Sequence, residues 1–275
     1  MTVYHYTSIN TLFHILNGIE HKEAPGADLD KIEYYFLKFH ASNAVFLNDP
    51  TENTLYIEAL LKAFGNDNML KSAISVSNLL IGAPYALSFS ELGDDLNMWR
   101  NYADNAQGVT LGLELDSNIN TVIKERSSHV DNIQFGKCKY LTQEDIVQSI
   151  KKQADYKEIK ERLKDACEGE RIRIDNILRT ILENCFFYKD VAYQAEKEWR
   201  LTVFGHFDCM FKNRKNKIID YKEVVVPLSA LKQIVFAPLT DFEKLNYSVR
   251  KMINEKIGSI RTDIEILKSK IPYSG

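Results

Sequence analysis

Cysteine is scarce in this chain and isolated where it occurs. Cys138, Cys167, Cys185 and Cys209 form no Cys-x-x-Cys pair. A structural zinc site is therefore not expected, and reduced core thiols are the simpler reading. No glycine-rich phosphate loop is present, which argues against a Rossmann-type NAD site. Long apolar runs are missing too. The longest nearly apolar stretch, Leu79 to Leu87, contains Gly82 and Pro84 and is too short to span a bilayer. The chain opens on Val3-Tyr4-His5-Tyr6 without a basic and apolar leader. Basic charge is not in excess: 35 Lys and Arg stand against 38 Asp and Glu, a formal net charge of -3, with a pI near 6.1. That gives no electrostatic reason to expect duplex nucleic acid as a partner. A cytoplasmic protein that does not enter the membrane is the expectation.

What is present is ordinary globular material, 45% hydrophobic and 27% charged over 275 residues. Such a chain can bury a large core. No repeat, low-complexity segment or Pro/Gly linker divides it, so residues 1–275 are read as one domain. Val3 to Thr7 alternates as a strand. Ser8 then caps a helix with Ile9, Leu12, Phe13 and Leu16 on one face and Gly18 at its end. Residues 29–40 look helical. Val45 to Leu47 reads as a short strand running into the turn Asn48-Asp49-Pro50, with a helix over Leu55–Phe64. Ala86–Ser90 alternates Leu87 and Phe89 inward against Ser88 and Ser90. Trp99, Tyr102 and Ala103 share the face of the next helix, and Gly108 opens an apolar strand from Val109 to Leu115. A charged helical insertion is expected at about 142–190. It begins with a Thr142/Asp145 capping box, and its parts are a solvated helix over Lys151–Glu170 and a more apolar one over Ile174–Phe187. Strands follow at Val224–Leu228 and Gln233–Ala237. A helix capped by Thr240 and Glu243 runs to Ile257, and a last strand carries Ile260, Thr262, Ile264 and Ile266. Strands mixed with helices, without a βαβ cadence, indicate an α+β fold with mixed, largely antiparallel sheets.

The stretch from Tyr193 to Phe204 is the most informative. Read as a strand, it turns Trp199, Leu201 and Val203 to the core and Glu196, Glu198, Arg200 and Thr202 to the other face. Two carboxylates on one strand face stand roughly 6–7 Å apart at their Cα atoms. Like charges that close ask for a cation or a reacting centre nearby. A solvated sheet edge is the bland alternative.

Four segments together resemble the bacterial DUF2971 family. They are Tyr4-His5-Tyr6-Thr7-Ser8, Leu47-Asn48-Asp49-Pro50-Thr51-Glu52, Ser88-Phe89-Ser90 with Met98-Trp99-Arg100-Asn101-Tyr102-Ala103, and Glu196-Lys197-Glu198-Trp199-Arg200 with the terminal Lys268-Ser269-Lys270-Ile271-Pro272-Tyr273. A more distant resemblance is to ADP-ribosyltransferases, in the succession of His5, Ser88-Phe89-Ser90 and Glu196-x-Glu198. It implies a split-sheet fold and NAD as substrate, with protein, nucleic acid or water as acceptor, in a toxin or antiviral effector. Under it Glu198 would stabilise the cationic ribose, in a transition state like that of glycoside hydrolysis. Glu196 would handle the acceptor. His5, with Thr7 on the same strand face, would hold the ribose, Ser88 or Ser90 would steady Glu198, Tyr102 or Trp99 would stack on nicotinamide, and Arg100 or Arg200 would meet pyrophosphate.

Two other readings stand beside it. A metal-dependent nuclease or phosphohydrolase would draw oxygen ligands from Asp49, Glu52, Asp94, Asp95, Glu196 and Glu198. A non-enzymatic ligand-binding module would instead use the acidic residues in salt bridges, Glu198 with Arg200 or Arg100.

Overall fold

The computed structural model describes residues 1–22, 32–47, 54–66, 68, 71, 84–115, 132–152, 185–204, 209–214, 216–258, 260 and 262–275. Local signals place the first elements well. β1 spans Thr2–Thr7, and the Ser8 hydroxyl accepts from the Thr11 amide at 3.1 Å to start α1, Ile9–Asn17. After the short β2 (Glu20–His21) the chain departs from expectation. In the described part of the helix read over 29–40, a 3-10 turn at Ile32–Tyr34 leads straight into a strand: β3 runs from Tyr35 to Asn43. Leu37, Phe39 and Ala41 are buried and alternate with Lys38, His40 and Ser42, the two-residue period of a strand. The Val45–Leu47 strand is replaced by a 3-10 turn at Ala44–Phe46. Asn48, Asp49 and Glu52 lie outside the described residues.

Next come α2 (Leu55–Ala63), β4 (Tyr85–Ser90), α3 (Leu96–Tyr102) and β5 (Val109–Glu114). Asp95 caps α3 through the Met98 amide. β6 (Asn132–Lys137) and β7 (Lys139–Tyr140) precede α4 (Gln143–Lys152). The Thr142/Asp145 box forms as expected, with each side chain meeting the other residue's amide. Most of the expected insertion, 153–184, lies outside the described residues, and Phe186 and Phe187 form a turn into β8 (Tyr188–Lys189).

β9 begins only at Glu198 and ends at Phe204, after a 3-10 helix at Val191–Glu196. Then follow β10 (Met210–Arg214), β11 (Lys217–Pro227), β12 (Leu231–Phe236), α5 (Phe242–Ile257) and β13 (Glu265–Lys268). The cap of α5 is Asp241, which accepts from the Lys244 amide. The Thr240 hydroxyl is spent on the Ala237 carbonyl.

Among the described residues eleven strands form one sheet, with β10-β11-β3-β4-β1-β5-β12-β13 as its path and β6 and β9 branching from β4. All pairings in it are antiparallel except β12 with β13, so the fold is α+β with a largely antiparallel sheet. The branch positions the site. One edge of β4 pairs with β9 along its whole length, from Tyr85↔Val203 to Ser90↔Glu198. The other edge is shared: β3 takes Tyr85 and Ala86, and β1 takes Ser90.

The sheet has two differently built faces. On the first, Val3, Phe39, Leu87, Phe89, Leu111, Leu201 and Val224 pack with Leu12, Ile15 and Leu16 of α1 and Val249, Ile253 and Ile257 of α5. Each such burial contributes about 1.5–3 kcal/mol. The second face carries two smaller apolar clusters. One joins α2, α4, Phe186, Tyr188 and Phe204. The other joins Tyr6, Met98, Trp99, Val235 and Ala237, with Ile271 and Tyr273 packed on it. A polar network occupies the ground between them.

Candidate functional site

Strand register decides which residues meet. Tyr4, Ser90 and Glu198 are paired across β1, β4 and β9, so their side chains share the second face. Arg200 and Ser88 are paired one step further along. Glu196 is not on the strand with Glu198, as the sequence suggested. It ends the 3-10 helix, and Lys197 between them is left-handed, with φ 46°. That backbone is uncommon for a side-chain-bearing residue. Here it lets the two carboxylates converge on one cation.

The cation is Lys189. Its Nζ lies 2.6 Å from Glu196 Oε2 and 2.8 Å from Glu198 Oε2, and 4.8 Å above the Tyr193 ring. Arg200, fully buried, grips Glu198 twice, Nε to Oε1 at 2.7 Å and Nη2 to Oε2 at 2.9 Å. Its Nη1 donates to the Phe186 carbonyl at 2.8 Å. The Glu198 amide donates to the Tyr140 hydroxyl at 2.6 Å. Two carboxylates thus face two cations, and the buried group is electrically balanced. Burial alone would raise the Glu198 carboxyl. Arg200 outweighs it by charge and hydrogen bonding, and with Lys189 holds the carboxyl down at about 2.

Glu196 is different. Its side chain keeps 15% exposure, against 6% for Glu198. Its Oε1 accepts from the Tyr102 hydroxyl at 2.5 Å, and its carbonyl accepts from the buried Ser90 hydroxyl at 2.6 Å. Burial, then the Glu196 contact, pushes the Tyr102 phenol upward, so it stays a donor. Glu196 is the carboxylate of the pair that is fixed and still partly exposed.

Ser88, Ser90, Tyr102, Glu196, Glu198 and Arg200 lie on one face, but not in the expected parts. Arg200 is fully buried and spent on Glu198 rather than turned to a pyrophosphate, and the Ser90 hydroxyl braces the Glu196 carbonyl rather than Glu198. His5 and Thr7 do not lie on that face. His5 stands on the first face, edge-on to Phe39 at 5.6 Å and Phe89 at 5.9 Å. Its Nδ1 hydrogen-bonds the Ser88 carbonyl at 2.9 Å. That carbonyl lies on the shared edge of β4, between the last residue paired to β3 and the first paired to β1. His5 is a pin across the fork in the sheet. Thr7, on the same face, is buried beside the Gly108 turn. Trp99 is fully buried with its indole donating to Asp94, which leaves no face for a ring to stack on. Arg100 is exposed on α3. Lys189 and Tyr140 escaped the sequence reading. The signal for Lys189 was one lysine closing the aromatic run Phe186-Phe187-Tyr188.

The carboxylates named for a metal are engaged otherwise where they are described. Asp94 accepts from Trp99, Ser269 and the Lys270 amide, and Asp95 caps α3. Among the described residues no three His, Cys, Asp or Glu side chains are grouped to hold an ion.

Residues 98–201 match the family model described as protein of unknown function (DUF2971). The matched span contains Tyr102, Tyr140, Lys189, Glu196, Glu198 and Arg200, the charged members of the polar network and its two tyrosine hydroxyls. His5, Ser88 and Ser90 lie before it. No curated protein and no solved structure matches the chain. Among the described residues no helix is long and apolar enough to cross a membrane.

Proposed function

We propose that this chain acts on a ribose-bearing nucleotide, NAD being the first candidate, with Glu196 as the reacting carboxylate and Tyr102 as its neighbour. The observation that carries the reading is the contrast within the pair: Glu198 is sealed by Arg200 and Lys189, whereas Glu196 is braced and still partly exposed. This departs from the sequence reading, which gave the central role to Glu198 and a part to His5. The expected meeting of His5 with the glutamates fails, since they lie on opposite faces of the sheet, and the proposal uses neither His5 nor Thr7.

A fixed carboxylate beside an aromatic hydroxyl suits a sugar. It can accept from ribose hydroxyls and stabilise positive charge at the anomeric carbon. In the reaction the bond from ribose C1′ to the nicotinamide nitrogen breaks and its electron pair leaves with nicotinamide. The oxygen of water or of a macromolecular acceptor then bonds to C1′ and loses its proton.

A second reading, a binding module without turnover, is favoured by one specific feature. All four oxygens of the two glutamates already have partners. One experiment separates the two. Purified protein is given NAD labelled in its ADP-ribose part, and melting temperature and nicotinamide release are both followed. Enzymatic use predicts release, abolished in Glu196→Gln by about 100-fold or more. A melting shift without release selects the binding module. Neither shift nor release rejects NAD altogether.

A further inference from the structure

Tyr102 reaches Glu196 only if α3 is held at the right height. Tyr6 of β1 packs on Trp99 and accepts from the Asp95 amide, and a second hold comes from the far end of the chain. Asp94, in the loop before α3, is solvent-exposed, yet both of its oxygens are occupied. Oδ1 accepts from the Trp99 indole at 2.7 Å and from the Ser269 hydroxyl at 2.6 Å. Oδ2 accepts from the Lys270 amide at 2.8 Å. Ser269 is fixed in turn: its amide donates to the Phe236 carbonyl, and its hydroxyl accepts from the Ile271 amide. Ile271 and Tyr273 then pack on the cluster that buries Trp99.

Trp99 and Tyr102 are three residues apart on one short helix, on neighbouring positions of the same side. A shift of the indole therefore carries the phenol with it. We propose that Asp94 is a positioning residue for the Tyr102–Glu196 contact, and that the C-terminal segment Ser269–Tyr273 sets that contact through it. The inference rests on the site proposed above, because it concerns how that site is held.

The test is a double-mutant cycle on the full chain, read by urea unfolding without ligand. Its members are wild type, Asp94→Asn, Tyr102→Phe and the double variant. An asparagine has one acceptor oxygen, so its amino group must face one of the three donors. If Asp94 acts through Tyr102, removing the phenol hydroxyl should cost about threefold less in the unfolding equilibrium constant once Asp94→Asn is present. Effects that multiply to within about twofold would overturn the proposal. Should Asp94→Asn not fold, Ser269→Ala removes a single donor and completes the same cycle, with the same two outcomes. The cycle contains no NAD. Failure of the wild type to take up NAD therefore removes the functional reading alone, and an additive cycle removes the positioning role alone.

Discussion

Arg200 holds Glu198 from two positions further along the same strand, with Nε on Oε1 at 2.7 Å and Nη2 on Oε2 at 2.9 Å. Both are buried, at 0% and 5% exposure. A buried ion pair is weak evidence of net stabilisation, but breaking one side of it strands a charge. Arg200→Met should therefore cost about 3–5 kcal/mol in urea unfolding. Arg200→Lys keeps the charge and loses the two-pronged grip, and should fall between that variant and wild type. A loss below about 1 kcal/mol for Arg200→Met would show that Lys189 alone suffices.

The same pair sets an acid response. Glu198's carboxyl is held at about 2, below its usual 4.5, because Arg200 and Lys189 outweigh the opposing effect of burial. A depressed folded-state value means that its contribution to stability is complete above the unfolded value and is lost as the pH falls from about 4.5 towards 2. Wild type should lose stability across that window more steeply than Glu198→Gln, which carries no titrating group there. Parallel curves of unfolding free energy against pH for the two proteins would contradict the assignment.

His5 should matter to the fold and not to the site. His5→Phe keeps a ring between Phe39 and Phe89 but leaves the Ser88 carbonyl without that hydrogen bond, a loss of about 1–2 kcal/mol. Nicotinamide release measured per folded molecule should be unchanged. Abolished release in a folded His5→Phe protein would return the histidine to the reaction.

Gly108 should admit no side chain. A Cβ there would lie 2.2 Å from the Thr7 carbonyl oxygen and 2.8 Å from the Ala103 carbonyl, backbone on both sides. Gly108→Ala should therefore cost about 3 kcal/mol, the upper end for overpacking. An unchanged melting temperature would mean that α3 and β1 can separate freely at this point.

Much of the local structure was legible in the order of residues. Ser8, the Thr142/Asp145 box and the alternation of Leu87 and Phe89 are signals carried within a few residues, and each formed as read. The helix expected over 29–40 failed because an aromatic-rich run fits either period until its partner is known. Pairing with β11, from Tyr221↔Ser42 to Pro227↔Phe36, settles it as a strand. The candidate site was half legible. The Glu-x-Glu spacing and the serines drew attention to the right face. Their separation from His5, the capture of Glu198 by Arg200, and the arrival of Lys189 depend on strand register and on one left-handed residue, Lys197.

By itself, then, the sequence determined an α+β chain of globular composition, the Ser8 and Thr142/Asp145 caps, and a concentration of charge around Glu196–Arg200. The tertiary structure alone decided which of those charges are spent on one another and that Glu196, rather than Glu198, keeps partial exposure. Side-chain direction along a strand is local, but which face a histidine on β1 shares with a glutamate on β9 is set by hydrogen-bond register through β4, a relation between residues more than eighty positions apart.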